Sequence, residues 1–212
     1  MKQVLLAVLF AHLFTAAIAQ SERYTGAMQK NMQAMGEAKT ADAMLEVVNA
    51  FERIGNAEKN QWLPFYYAAV AQVWHAFMIN DPKQFDPLAD KATVFINKAE
   101  EFEKNNSEIA LVKAMIATVK MSADPMSRYM QYGAIIQENT ALSKKLDPAN
   151  PRPYMWEAQG ISRTPEQFGG GCAKAKPVFE EATKLFEAFK PASALHPDWG
   201  KQQNEQAYNA CK

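Results

Sequence analysis

The segment YAAVAQVW at residues 67–74 decides the fold class. Its aromatic, aliphatic and small side chains recur at helical spacing, at Tyr67, Val70, Ala71 and Trp74. This spacing places them on one face of an α-helix. A second stripe of the same kind runs from Val94 to Phe102, with one polar interruption at Lys98. The two stretches predict a pair of amphipathic helices.

Similar stripes cover most of the chain between Tyr24 and Phe189, and strand signals are scarce. Helix breakers and N-capping residues fall between the stripes, as at Gly55-Asn56, Asn80-Asp81-Pro82 and Asp124-Pro125. The sequence therefore predicts an all-α protein of about eight or nine helices with short connections. No alternation of strands and helices appears, which excludes a doubly wound sheet.

Tandem helix pairs also carry part of a repeat pattern. The tetratricopeptide consensus is W-x2-L-G-x2-Y on its first helix and A-x3-F-x2-A on its second. Residues 67–74 match the first helix, and two triplets match the second, namely Ala92, Ile96, Ala99 and Ala175, Phe179, Ala182. The chain thus resembles tetratricopeptide-like α-solenoids. The segment PEQFGGG at residues 165–171 is similar to an insert in exported tetratricopeptide-like proteins of Bacteroidota-type bacteria.

The resemblance implies a right-handed superhelix of about four degenerate helix pairs, whose concave face binds partners. The residues that it places on this face are Phe65, Gln72, His75, Glu108, Met115, Arg152, Met155 and Gln159. Such a mixed groove suits an extended peptide or a helix. The expected partner is therefore a protein or peptide.

Residues 1–19, MKQVLLAVLFAHLFTAAIA, are typical of a secretory signal peptide. Lys2 precedes an apolar run, and Ala17-Ile18-Ala19 predicts cleavage after Ala19. The run is shorter than the ~20 residues that span a bilayer. We expect residues 20–212 to form one soluble exported domain without a membrane segment, in a bacterial periplasm or, alternatively, secreted.

Two cysteines, Cys172 and Cys211, follow the predicted signal peptide. An even number of cysteines in an exported chain favours a disulfide. The alternative is a Cys172 nucleophile with His196 as its base. Neither cysteine lies in a family motif, so the disulfide is the preferred prediction.

The formal net charge is 0, which argues against nucleic acid as a partner. The sequence contains no HExxH, paired CxxC or GxSxG motif. Met28, Met32 and Met35 have the thioethers of a Cu(I) site, but their helical spacing is explained by core packing. We therefore expect no metal site and no cofactor.

The preferred hypothesis is an exported, non-enzymatic scaffold that binds a protein or peptide in the bacterial envelope. The alternative is a periplasmic small-ligand-binding protein of the transporter-associated, tetratricopeptide-like kind. Its closed aromatic pocket would draw on Trp62, Tyr66, Trp74 and Trp156. An enzyme that uses Cys172 or a carboxylate pair is a third possibility.

Overall fold

The computed structural model describes residues 22–58 and 60–211, and every regular element in these ranges is helical. The helices are α1 (residues 22–37), α2 (Ala41–Ala57), α3 (Leu63–Ile79), α4 (Pro82–Phe102), α5 (Ser107–Ser122), α6 (Pro125–Leu146), α7 (Arg152–Arg163), α8 (Cys172–Ala188) and α9 (Lys201–Ala210), with a 3-10 turn at Glu166–Phe168. The predicted all-α class is confirmed. The predicted signal peptide and its cleavage after Ala19 lie outside the described residues.

Short polar side chains begin several helices. Thr40, Asp81, Asn106 and Asp124 each accept a hydrogen bond from a backbone N–H in the first turn that follows. These bonds satisfy amides that have no partner inside the helix. Pro82 and Pro125 then occupy the first helical position, as the sequence predicts.

Gly55 does not end a helix, because α2 continues to Ala57. A Cβ atom at Gly55 would lie 2.8 Å from Cε1 of Phe65 on α3. The glycine therefore permits a close approach of α2 and α3 and does not act as a helix breaker.

The central helix is α3, which packs against α2, α4 and α5. It is buried along most of its length, including Tyr66 and Tyr67. Consecutive helices also pack as neighbours in the pairs α5–α6 and α7–α8. The largest cluster of buried apolar side chains lies among α1 to α5, and smaller clusters lie between α7 and α8. This core gives α3 a fixed position from which its aromatic side chains can form a site.

Residues 189–200, which we call the C-terminal strap, lead from α8 to α9 without regular secondary structure. The strap returns to the central helix, where the Tyr67 hydroxyl donates to the Leu195 carbonyl at 3.0 Å. Beyond it, a disulfide joins Cys172 at the start of α8 to Cys211 after α9. The predicted disulfide is confirmed, and a Cys172 nucleophile is wrong because both thiols are consumed.

Candidate functional site

A cleft of about 460 Å³ lies among α1, α2, α3 and the C-terminal strap. Its lining is dominated by four methionines and three aromatic residues, namely Met32, Met35, Met44, Met78, Tyr67, Trp74 and Trp199. Gly36 and Ala38 add small surfaces, and Asp198 and Gln203 add polar ones. The size and the mostly apolar lining are those of a small-molecule site.

The methionines come from three helices. Met32 and Met35 lie on α1, Met44 on α2 and Met78 on α3. Met35 and Met44 are buried, whereas Met78 is 40% exposed, so the cleft runs from the core to the surface. Thioether side chains are flexible and polarisable, and they pack favourably against aromatic rings. The lining can therefore adjust to the outline of an apolar ligand.

The aromatic residues form flat walls. The rings of Trp74 on α3 and Trp199 on the strap meet edge to face, with centroids 5.6 Å apart and planes at 88°. Burial, and then the charge of Glu108, raises the pKa of Tyr67. Tyr67 therefore offers a neutral phenol whose hydroxyl is already bonded to Leu195. Together these rings favour a flat, apolar ligand.

The polar lining residues are both exposed. Asp198 precedes Trp199 on the strap, and Gln203 lies in the first turn of α9. Asp198 is the one carboxylate among the residues that line this cleft. Polar groups of a ligand would therefore lie at the solvent edge, and a negative group there would meet a like charge.

A buried ion pair lies behind the cleft. Arg152 at the start of α7 donates to Oε1 of Glu108 on α5 through Nε at 2.7 Å and Nη2 at 2.6 Å. Asn150 donates to the same oxygen at 2.7 Å. Burial is the largest single influence on Arg152 and acts to lower its pKa, but the charge and hydrogen bonding of Glu108, together with the two nearby tyrosines, outweigh it, so the net shift is upward. Both charges are thus paired and hydrogen-bonded, as burial requires.

Tyr66 connects this ion pair to the cleft. Its hydroxyl donates to Oε2 of Glu108 at 2.6 Å and accepts from the indole N–H of Trp199 at 3.0 Å. Burial, followed by the Glu108 charge, raises the pKa of Tyr66 well above its usual value. The phenol therefore keeps its proton, and one wall of the cleft is tied to the buried pair.

Other kinds of site are not evident in residues 22–58 and 60–211. In these ranges no three His, Cys, Asp or Glu side chains are grouped so that they could hold a metal ion. No helix there has both the length and the apolar character that crossing a bilayer requires.

No family model and no curated protein matches the sequence. Among solved structures, the chain is similar to the HusA haemophore from Porphyromonas gingivalis, with a TM-score of 0.80 and 32% sequence identity. The match covers 89% of this chain and 92% of that chain. The chain belongs to the HusA family. HusA is a haemophore, which is a binding protein and not an enzyme.

The residues that the sequence analysis places on a concave docking face are mostly interior in this HusA-family fold. Seven of them are at most 7% exposed, namely Phe65, Gln72, His75, Glu108, Met115, Arg152 and Met155. Gln159 is half-buried. The fold brings Glu108 and Arg152 together as the ion pair, and Gln72 Nε2 lies 3.5 Å from His75 Nδ1. The seven are buried because neighbouring helices and the strap cover α3, α5 and α7. Their role in partner binding stays a prediction.

The alternative aromatic pocket is found in part. Trp74 lines the cleft, whereas Tyr66 is fully buried behind it. Trp62 packs on Tyr66 with ring centroids 5.5 Å apart, and Trp156 packs against the core. Only one of the four predicted pocket residues therefore faces the cleft.

Sequence reasoning missed most of the cleft. Met28 and Met35 are core residues as predicted and Met32 packs against the core, and Met32 and Met35 also line the cleft. Met44, Tyr67 and Trp199 were not assigned to a ligand site. The available signal was the sequence's 11 methionines, several at helical spacing next to aromatic residues.

Proposed function

We propose that this protein is an exported, non-enzymatic haem-binding protein whose ligand lies in the methionine and aromatic cleft. The similarity to a haemophore over most of both chains supports this proposal. The observation that carries it is the cleft itself, in which thioethers and indole rings line a cavity of about 460 Å³. The small-ligand hypothesis is therefore preferred over a scaffold for a protein partner.

The chemistry of the ligand fits this lining. Haem is a broad, flat and largely apolar ring with two carboxylates on one edge. Aromatic walls such as Trp74 and Trp199 can contact its faces, and the methionines can fill the space around its edge. A methionine thioether is also one of the iron ligands that haem proteins use. The carboxylates would lie toward solvent.

Two finer features belong to the same proposal. Packing of successive helices as neighbouring hairpins supports a tetratricopeptide-like arrangement. The similarity to a haemophore and the N-terminal sequence support export to the periplasm or the cell exterior, with cleavage after Ala19.

Titration with hemin tests the function. The chain from Gln20 onward is titrated while the absorbance of the porphyrin and the tryptophan fluorescence are recorded. We expect saturable binding to one site, with quenching because Trp74 and Trp199 lie at the ligand. A parallel titration with metal-free protoporphyrin separates the contribution of the macrocycle from that of the iron.

The variants Trp74→Ala and Trp156→Ala locate the site. Both remove a partly buried indole that packs against the core, but only Trp74 lines the cleft. We expect Trp74→Ala to weaken hemin binding at least tenfold and Trp156→Ala to leave it nearly unchanged. Equal losses, or no saturable binding by the parent chain, would contradict the proposal.

A further inference from the structure

Trp199 is a cleft wall on a segment that has no regular secondary structure. The backbone hydrogen bonds of the strap are a turn from Ser193 to His196 and the bond from Asn204 of α9 to the Gly200 carbonyl. Neither involves Trp199, so contacts with other elements must set the position of this ring. Three of its groups have such contacts, namely the indole N–H, the backbone carbonyl and the ring face. These three contacts lead to Tyr66 or Arg152, and the ring also packs on Trp74.

We infer that Tyr66, Glu108 and Arg152 are positioning residues for the ligand cleft, because they hold Trp199 as one of its walls. The inference rests on the proposed function. None of the three is among the residues that line the cleft, so each acts on a ligand indirectly, here through Trp199.

The direction of the hydrogen bonds supports this role for Tyr66. An ionised carboxylate only accepts, so the Tyr66 hydroxyl must donate its proton to Glu108. Its oxygen is then left to accept from the indole N–H of Trp199. The Glu108 carboxylate therefore orients the Tyr66 hydroxyl, and the hydroxyl in turn orients the indole of Trp199. Each hydrogen bond in such a chain strengthens the next.

Arg152 holds both ends of the strap. Its guanidinium lies 4.5 Å from the ring centroid of Phe189, the first strap residue, and 5.7 Å from that of Trp199. Its Nη1 also donates to the Trp199 carbonyl at 3.4 Å. Glu108 keeps this cation in place, since two nitrogens of Arg152 bond to its carboxylate. The ion pair is therefore the anchor of the strap.

The backbone turns sharply directly after Trp199. Gly200 has φ of 111°, which residues other than glycine rarely adopt. A Cβ atom there would lie 2.8 Å from Cζ of Phe186 and 3.4 Å from Cγ of Arg152. The strap thus ends tightly against the same arginine, which limits the orientations that Trp199 can adopt.

The test is the variant Tyr66→Phe, which removes one oxygen and keeps the ring. We expect hemin affinity to fall about tenfold, the size of one net hydrogen bond. With 5-fluorotryptophan incorporated, we also expect the fluorine resonance of Trp199 to shift in the ligand-free protein. Tyr154→Phe makes the same chemical change at an exposed bond to Pro148 and should change neither quantity. Ile96→Val, a core change on α4 outside the cleft, controls for lost stability.

A double-mutant cycle assigns the effect to Trp199. If Tyr66 acts through the indole N–H, adding Tyr66→Phe to a Trp199→Phe variant should cause little further loss of affinity. Additive losses, or wild-type affinity in Tyr66→Phe, would overturn the inference. If Tyr66→Phe does not fold, Arg152→Lys, which keeps the charge but loses the fork that holds the Trp199 carbonyl, must shift the fluorine resonance of Trp199 in the ligand-free protein.

The two failures can be told apart. If the parent chain does not bind hemin, the proposed function fails, and the ligand role of the three residues fails with it. The fluorine resonance still reports whether Tyr66 positions Trp199 without a ligand. If hemin binds and the resonance of Trp199 is the same in the parent chain and in Tyr66→Phe, only the positioning inference fails.

Discussion

The indole N–H of Trp199 donates to the hydroxyl of Tyr66 at 3.0 Å, although 133 residues separate the two in sequence. The bond ties the C-terminal strap to the central helix α3. One wall of the cleft therefore forms only when the end of the chain has folded back onto its middle. This dependence on long-range contacts makes the site sensitive to changes far from the ligand.

Removing the charge of Asp198 should strengthen hemin binding. Asp198 is the one carboxylate in the cleft lining and is exposed, and haem carries two carboxylates of the same sign. For Asp198→Asn we expect affinity to rise about two- to fivefold at low ionic strength, as exposed charge pairs allow. The gain should shrink as salt screens the charges. Glu138→Gln, an exposed carboxylate on α6, is the control, and a salt-independent gain would contradict this prediction.

Breaking the disulfide should loosen the strap and α9. The cysteines are 39 residues apart, so the bridge contributes about 4 kcal/mol in the chain-entropy model. We expect reductant to lower the unfolding temperature of the wild type but not that of the double variant Cys172→Ser, Cys211→Ser. Reduced protein that is still folded should bind hemin more weakly, because Trp199 and Gln203 lie within the closed loop. Identical melting with and without reductant would show that the bridge is not formed.

Loss of the Glu108 charge should strongly lower the free energy of unfolding. Glu108→Gln leaves the guanidinium of Arg152 buried without a counter-charge, and unpairing a buried ion pair costs about 3–5 kcal/mol. Glu100→Gln breaks the much more exposed pair with Lys113 and should cost at most about 1 kcal/mol. Urea unfolding of both variants measures the difference. Similar small losses would show that the buried pair is not a strong anchor.

Stability should fall as the pH drops below 6.5 because of His75. Burial, and then the nearby charge of Lys91, lowers the pKa of this histidine in the folded protein below its usual value of about 6.5. Between the lowered value and 6.5 the unfolded chain binds a proton that the folded protein does not, so acid favours unfolding in that range. The free energy of unfolding, measured in urea across this range, should decline less steeply in His75→Gln. Equal slopes in the wild type and in His75→Gln would contradict the prediction.

The sequence was sufficient to predict the helical class, several helix starts and the disulfide. Periodic side chains such as Tyr67, Val70 and Trp74 show a helical face within a few residues, and Asp81 or Asp124 before proline marks a helix start. Two cysteines in a chain with a predicted signal peptide leave one pairing. The helix predictions depend only on residues a few positions apart, and the disulfide prediction depends only on the number of cysteines.

The candidate site was only partly predictable. The repeat resemblance selected Glu108 and Arg152 for a docking face, and the fold instead pairs them in the interior. Their positions along α5 and α7 are compatible with either role. Packing of the strap and the neighbouring helices decides which faces are covered, and a helical period does not contain that information.

By itself, the sequence determined the helical class, several helix starts and the cysteine pair, because these depend on residues a few positions apart or on composition. Only the tertiary structure decided the cleft. Met32 on α1, Met44 on α2, Trp74 on α3 and Trp199 on the strap are separated in the chain, and they meet there through the packing of α3 and the hydrogen bond between Trp199 and Tyr66. The physical reason is that a ligand site forms from surfaces brought together by folding, whereas the periodic pattern of each helix reports only which side turns inward.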